Sequence, residues 1–165
     1  MTYFELYDLK PAYFLNEAEI KFKFLQLSRK YHPDHFALNT DDEKIQADEM
    51  SSLNNKAFRI LKHPDSRLKY LLELKQMIQD EEVYTLDQDF LMEMLDINDL
   101  VMEDPETAAN QLDSIEKTIY QEIKSLLENY DHEKISPLEL TQLKEYHYKK
   151  RYLWRIRENI EKSVS

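Results

Sequence analysis

His32-Pro33-Asp34 and His63-Pro64-Asp65 each set an imidazole and a carboxylate two residues apart. Such groups can ligate a metal or move a proton. His32, Asp34 and His63 together would suit a small helical metal-dependent hydrolase. His32 and His35, with Asp34, are a separate candidate ligand set, against which the spacing argues: the two imidazoles share a side only on a helix, and Pro33 breaks the helix. Adjacent acids such as Asp42-Glu43 and Glu81-Glu82 face apart on a helix and make poor acid/base pairs. His132 and His147 have no partner pattern and read as surface residues. With no cysteine in the chain, thiol catalysis, disulfides, Cys-ligated zinc and thiolate-held iron–sulfur clusters within it are excluded. With no glycine, there is no material for a phosphate-cradling loop. No cofactor, no metal and no catalytic residue of its own is therefore expected, and any nucleotide chemistry belongs to a partner.

What remains is a presented surface. Proline fixes its own φ and pushes the preceding residue out of the α region, so His32 to Asp34 must form a polar corner. The second copy differs: His63 sits at a helix C-terminus and Pro64 suits the first turn of the next helix, so it reads as a plain junction. The net charge of −11, from 22 basic and 33 acidic side chains, argues against nucleic acid, whose phosphates need Lys and Arg. No apolar run approaches the roughly 18 to 20 residues that span a bilayer. The start, Met1-Thr2-Tyr3-Phe4-Glu5, lacks the features of a secretion signal. A folded monomer in the cytoplasm, without membrane association, is expected.

The elements that must hold the corner are helices. Asn16 with Glu19 resembles a capping box and opens a helix over about 17–31. Ile20, Phe24, Leu27 and Tyr31 form its apolar stripe, and Lys21, Lys23, Arg29 and Lys30 lie off that stripe. Thr40 and Asp41 can cap the next helix, with Ile45, Met50, Leu53, Ala57, Phe58 and Leu61 in period up to His63-Pro64. A junction is placed at 76–85, where the sequence turns acidic and irregular. Three more helices follow: Leu86 to about Glu103; Asp104-Pro105-Glu106 to about Tyr130; and a last one from Ser136-Pro137-x-Glu139. In the first of these, Leu91, Met92 and Leu95 make one patch while Phe90, Met94 and Ile97 face elsewhere. Such a helix buries both sides or shows one to a partner; core is the commoner fate.

Residues 1 to about 75 resemble a J-domain, on Tyr31-His32-Pro33-Asp34, the basic helix before it and Asn55-x-Ala57-Phe58-x-x-Leu61-x-x-Pro64-x-x-Arg67-x-x-Tyr70 after it. The resemblance implies docking on a DnaK-type chaperone and stimulation of its ATPase through His32, Pro33, Asp34, Lys21, Lys23, Arg29 and Lys30. Leu25-Gln26 stand where generic J-domains have Lys-Arg, and His35 where they have Lys; both departures favour a dedicated chaperone. The full chain is similar to the HscB-type iron–sulfur cluster co-chaperones, on Tyr3-Phe4-x-Leu6, Arg67-x-x-Tyr70-Leu71-Leu72 and above all Phe90-Leu91-Met92-Glu93-x-Leu95. It lacks the tetracysteine zinc module of metazoan-type members.

That resemblance implies an L-shaped, all-α protein: a J-domain hairpin (1–75) packed end-on to a C-terminal three-helix bundle (86–165). It implies an activator of a partner ATPase (HscA-like), not an enzyme, with the bundle delivering the cluster scaffold protein (IscU-type). The scaffold-binding patch would be Leu91, Met92, Leu95, Asp96, Asp99 and Tyr152. The alternatives are a J-protein for a different client, or the hydrolase above.

Overall fold

The structure, a computed structural model, describes residues 1–164. It contains seven α-helices and one 3-10 turn among the described residues: α1 (Tyr3–Leu6), α2 (Glu17–Lys30), the 3-10 turn (Pro33–Phe36), α3 (Asp41–Leu61), α4 (Pro64–Leu74), α5 (Gln88–Leu100), α6 (Pro105–Glu128) and α7 (Pro137–Val164). Among these residues no helix is long and apolar enough to cross a membrane. The chain divides into two compact units, Met1–Leu71 and Leu72–Ser165.

In the first unit each helix starts where a side chain can satisfy free backbone N–H groups. Asn16 accepts from the amides of Ala18 and Glu19, and Thr40 from that of Glu43. Thr2 and Glu5 form a full, reciprocal capping box at α1, which sequence reading missed. The first unit buries Phe4, Tyr7, Ile20, Ala57, Leu61, Leu68 and Leu71. α2 packs on α3, with the rings of Phe24 and Phe58 stacked at 4.2 Å. Ile45, expected in the apolar stripe of α3, is exposed, and Ala47 is buried instead.

Two buried polar side chains tie this unit together. Asn54, 1% exposed, donates to the Phe24 carbonyl (3.0 Å) and Ser28 Oγ (3.1 Å), while its Oδ1 accepts from the Tyr7 hydroxyl (2.8 Å). One amide thus joins α2, α3 and the residue capping α1. Arg67 donates through Nε and Nη2 to the Leu61 carbonyl, at 2.8 and 2.6 Å, and through Nη1 to the Tyr13 carbonyl at 2.5 Å. Its cation sits at the negative C-terminal end of α3. Burial lowers the guanidinium pKa, and the three carbonyl bonds supply partners for the buried donors.

The second unit is built on α6 and α7, which pack along each other, with α5 against both. Met94 and Ile97 of α5, Leu112 and Leu127 of α6, and Leu143, Leu153 and Ile156 of α7 fill its core. Asp104 caps α6 through the Thr107 amide, and Ser136 with Glu139 makes the capping box of α7. Ion pairs from Lys150 to Glu116 (2.6 Å) and from Arg157 to Glu116 (2.7 Å) and Asp113 (3.0 Å) link α7 to α6.

Segment 76–85, read as a junction, falls in the second compact unit. Glu82 accepts from Lys144 Nζ (2.6 Å) and from the Tyr148 hydroxyl (2.9 Å), and the ring of Tyr84 stacks on Tyr148 at 4.6 Å. The acidic composition imitates a linker because the partners of Glu82 lie 62 and 66 residues further on. His147 is buried, not at the surface, because α7 carries Tyr146, His147 and Tyr148 into the interior together. His132 is half-buried, its ring nitrogen 2.7 Å from the Tyr130 hydroxyl. Burial, then the charge of Lys75, lowers its pKa.

Candidate functional site

The corner after α2 is built by its own sequence. His32 is extended (φ −63°, ψ 136°) and caps the 3-10 turn, its Nδ1 accepting from the Asp34 amide at 3.2 Å and its carbonyl accepting from the His35 amide at 3.0 Å. The Asp34 carboxylate lies 3.6 Å from the same Nδ1. A nitrogen that accepts from the amide has no proton for that carboxylate, so the contact is not an ion pair in this arrangement. His32, Pro33 and Asp34 are all exposed, with the Asp34 side chain 91% accessible. Tyr31 and Phe36, ring planes 14° apart, brace the corner from beneath at 6.5 Å.

Beside the corner, α2 carries Lys21, Arg29 and Lys30 exposed and Lys23 half-buried. The Lys30 ammonium lies over the Tyr31 ring at 5.3 Å. Lys21, Lys23 and Arg29 appear in no ion pair among the described residues. Unpaired cations in an acidic protein keep their field available to an acidic surface. His63 stands apart: α3 separates it from the corner, and 21 residues at about 1.5 Å each span roughly 30 Å. Among the described residues no three His, Asp or Glu groups gather to hold a metal. The geometry therefore does not assemble His32, Asp34 and His63 into the hydrolase centre.

On α5, Asp87 caps the first turn and Phe90, Met94 and Ile97 face the core. That leaves Met92 (65% exposed), Leu95 (56%), Asp96 and Asp99 on the outer face, with Leu91 half-buried at its edge. Tyr152 of α7, half-buried, meets the edge of Phe90 at 6.4 Å. Leu91, Met92, Leu95, Asp96 and Asp99 thus lie along one side of α5, an apolar patch with an acidic border, while Tyr152 reaches α5 through the core-facing Phe90.

Sequence reading missed the burial of the polar residues that tie together the unit carrying the corner. It quoted Asn55, which is exposed, where the neighbouring Asn54 is the buried one. The signal was present in the spacing of Ala47, Asn54, Ala57 and Leu61, all buried, at seven, three and four residues. Arg67 was quoted as part of a pattern; its burial gives that pattern a physical reason.

A family model described as a DnaJ domain matches residues 2–70, and one described as HSCB C-terminal oligomerisation domain matches residues 86–161. The latter description attaches oligomerisation to that family's domain. The chain is 30% identical over 128 residues to a co-chaperone protein HscB homolog of Vibrio parahaemolyticus, covering 74% of this chain and 75% of that one. It is 32% identical over 164 residues to the iron-sulfur cluster co-chaperone protein HscB of Homo sapiens, covering 96% of this chain and 66% of that one. The crystal structure of human co-chaperone protein HscB matches with a TM-score of 0.82 at 28% identity, over 98% of this chain and 81% of that one. Chaperone HscB from Vibrio cholerae matches with a TM-score of 0.75 at 20% identity, over 98% and 96%, a likeness of fold.

Proposed function

Because the chain belongs to the HscB family of iron–sulfur cluster co-chaperones, we propose that its first unit docks on a DnaK-type (HscA-like) ATPase and stimulates hydrolysis. Its second unit binds the cluster scaffold protein and brings it to that ATPase. The observation that carries this is the presence, in one chain, of an exposed His32-Pro33-Asp34 corner beside unpaired cations and an exposed apolar face on α5. The chain acts as an activator, and the chemistry is the partner's.

The mechanism is differential binding. A ligand with equal affinity for two conformations shifts nothing, so the corner must favour the ATPase's hydrolysis-competent state. Lys21, Arg29 and Lys30 steer the encounter toward an acidic surface, giving a salt-sensitive association rate. Scaffold docking uses the desolvation of Met92 and Leu95, with Leu91 and Tyr152 at the margin and Asp96 and Asp99 setting register.

Single-turnover ATP hydrolysis by the cluster-dedicated chaperone tests this reading. His32→Gln abolishes stimulation, His63→Gln keeps it, and scaffold enhances the wild-type effect. No stimulation by the wild type overturns the ATPase part. Scaffold binding unchanged in a folded Leu91→Ala/Met92→Ala/Leu95→Ala variant overturns the client part.

A further inference from the structure

An open groove of about 320 Å³ runs in the second unit between the segment before α5 and the face of α7, lined by Glu82, Val83, Tyr84, Leu86, Tyr148, Arg151, Tyr152 and Arg155. Its wall is built: the Tyr84 and Tyr148 rings stack with planes 9° apart, and Glu82 is locked by Lys144 and Tyr148. Leu86 is buried in the wall, while Val83, 92% accessible, stands open at the rim.

Lys144, Lys150 and Arg157 of α7 are each engaged with carboxylates of this chain. Arg151 and Arg155, both exposed and one helical turn apart on the groove side, make no ion pair among the described residues. The Arg151 guanidinium is instead 5.8 Å from the Tyr148 ring centroid, held over an aromatic face with its N–H fork free. In a protein with eleven surplus negative charges, two arginines left without a carboxylate partner beside an aromatic groove are arranged to read carboxylates from outside.

We infer that this groove is a second docking site for the scaffold protein, taking an extended segment that places an apolar side chain against Val83, Tyr84 and Tyr152 and carboxylates on Arg151 and Arg155. The inference rests on the scaffold reading above and deepens it. Tyr152 lines the groove and also meets the edge of Phe90 at the start of α5, so the groove opens beside the helix that carries the patch. Charge complementarity selects the occupant: a carboxylate-bearing segment gains bidentate bonds from both arginines, whereas a basic segment meets repulsion. The α5 patch then supplies apolar area and the groove supplies orientation.

The test is calorimetric titration of scaffold protein into the full chain at low and high salt. Arg151→Ala/Arg155→Ala weakens binding about tenfold at low salt and flattens the salt dependence. Arg151→Lys/Arg155→Lys keeps part of the salt dependence but loses affinity, because an ammonium cannot make the fork. Arg157→Ala, which removes a cation already paired on the α6 side, leaves binding unchanged. Circular dichroism confirms that each variant is folded. Arg151→Ala/Arg155→Ala binding like wild type, while Leu91→Ala/Met92→Ala/Leu95→Ala is weakened, overturns the groove alone. A wild type that does not bind scaffold overturns the groove together with the scaffold reading.

Discussion

Replacing Asn54 by Ala removes one side chain from three partners, and the structure sets what that costs. Two donor bonds from Nδ2 and one acceptor bond at Oδ1 are lost, each worth about 1 kcal/mol net. The Tyr7 hydroxyl keeps the Asn54 backbone carbonyl as an acceptor at 3.1 Å, so the expected loss is about 2–3 kcal/mol rather than more. A unit of 71 residues at about 0.05–0.15 kcal/mol per residue has roughly 4–10 kcal/mol to lose, so the variant folds but opens far more often. Tyr7→Phe leaves Oδ1 without its donor and costs about 1–2 kcal/mol. Because the two variants share one bond, the double variant loses about 1 kcal/mol less than the sum.

Native-state hydrogen exchange is the assay, since it reads each unit separately. Globally exchanging α2 and α3 amides should speed up about thirty- to hundredfold in Asn54→Ala, at 1.4 kcal/mol per factor of ten, while amides of α6 stay as they were. Losses that simply add, or an Asn54→Ala cost below about 1 kcal/mol, refute the claim that this amide ties α1, α2 and α3 together.

Two further outcomes follow from the second unit. Hydrogen bonds from Lys144 and Tyr148 hold the Glu82 carboxyl below its ordinary value of 4.5. A lowered folded-state pKa means that the ionised group stabilises the fold above pH 4.5, and this contribution fades as pH falls through the lower folded value. Glu82→Gln should therefore melt below wild type at pH 7 and converge with it in acid; a gap unchanged down to pH 3 would contradict this. The C-terminus of α4 is closed by Gln76 at φ 58°, its amide bonded to the Glu73 carbonyl and that of Met77 to the Leu72 carbonyl, a turn that glycine normally occupies. Gln76→Gly should raise the denaturation midpoint, gaining about 1 kcal/mol from relief of the left-handed backbone; an unchanged midpoint would mean the site is unstrained.

Local chemistry explains most of what was legible. Pro33 alone requires His32 to leave the helix, and a corner cut loose between two helices has nowhere to go but the surface. The caps at Asn16, Thr40, Asp104 and Ser136 act within three residues, so their helices could be placed from spacing. The outer face of α5 followed from period as one of two readings, and burial of Phe90, Met94 and Ile97 left Met92 and Leu95 outside. The ends were less well drawn: α5 runs Gln88–Leu100 rather than from Leu86 to about Glu103, because Asp87 and not an earlier residue supplies the cap.

What the amino-acid order determined was thus the helical class, the exposed corner, the cationic side of α2 and the amphipathic character of α5. Tertiary structure alone decided which polar residues go inside. Asn54 rather than Asn55 meets Tyr7 and Phe24, Arg67 reaches back 54 residues to Tyr13, and Glu82 finds α7 across a stretch that reads as linker. Each of these depends on a partner distant in sequence. A polar side chain is buried only where the completed fold supplies that partner, because desolvation costs more than an isolated residue can recover.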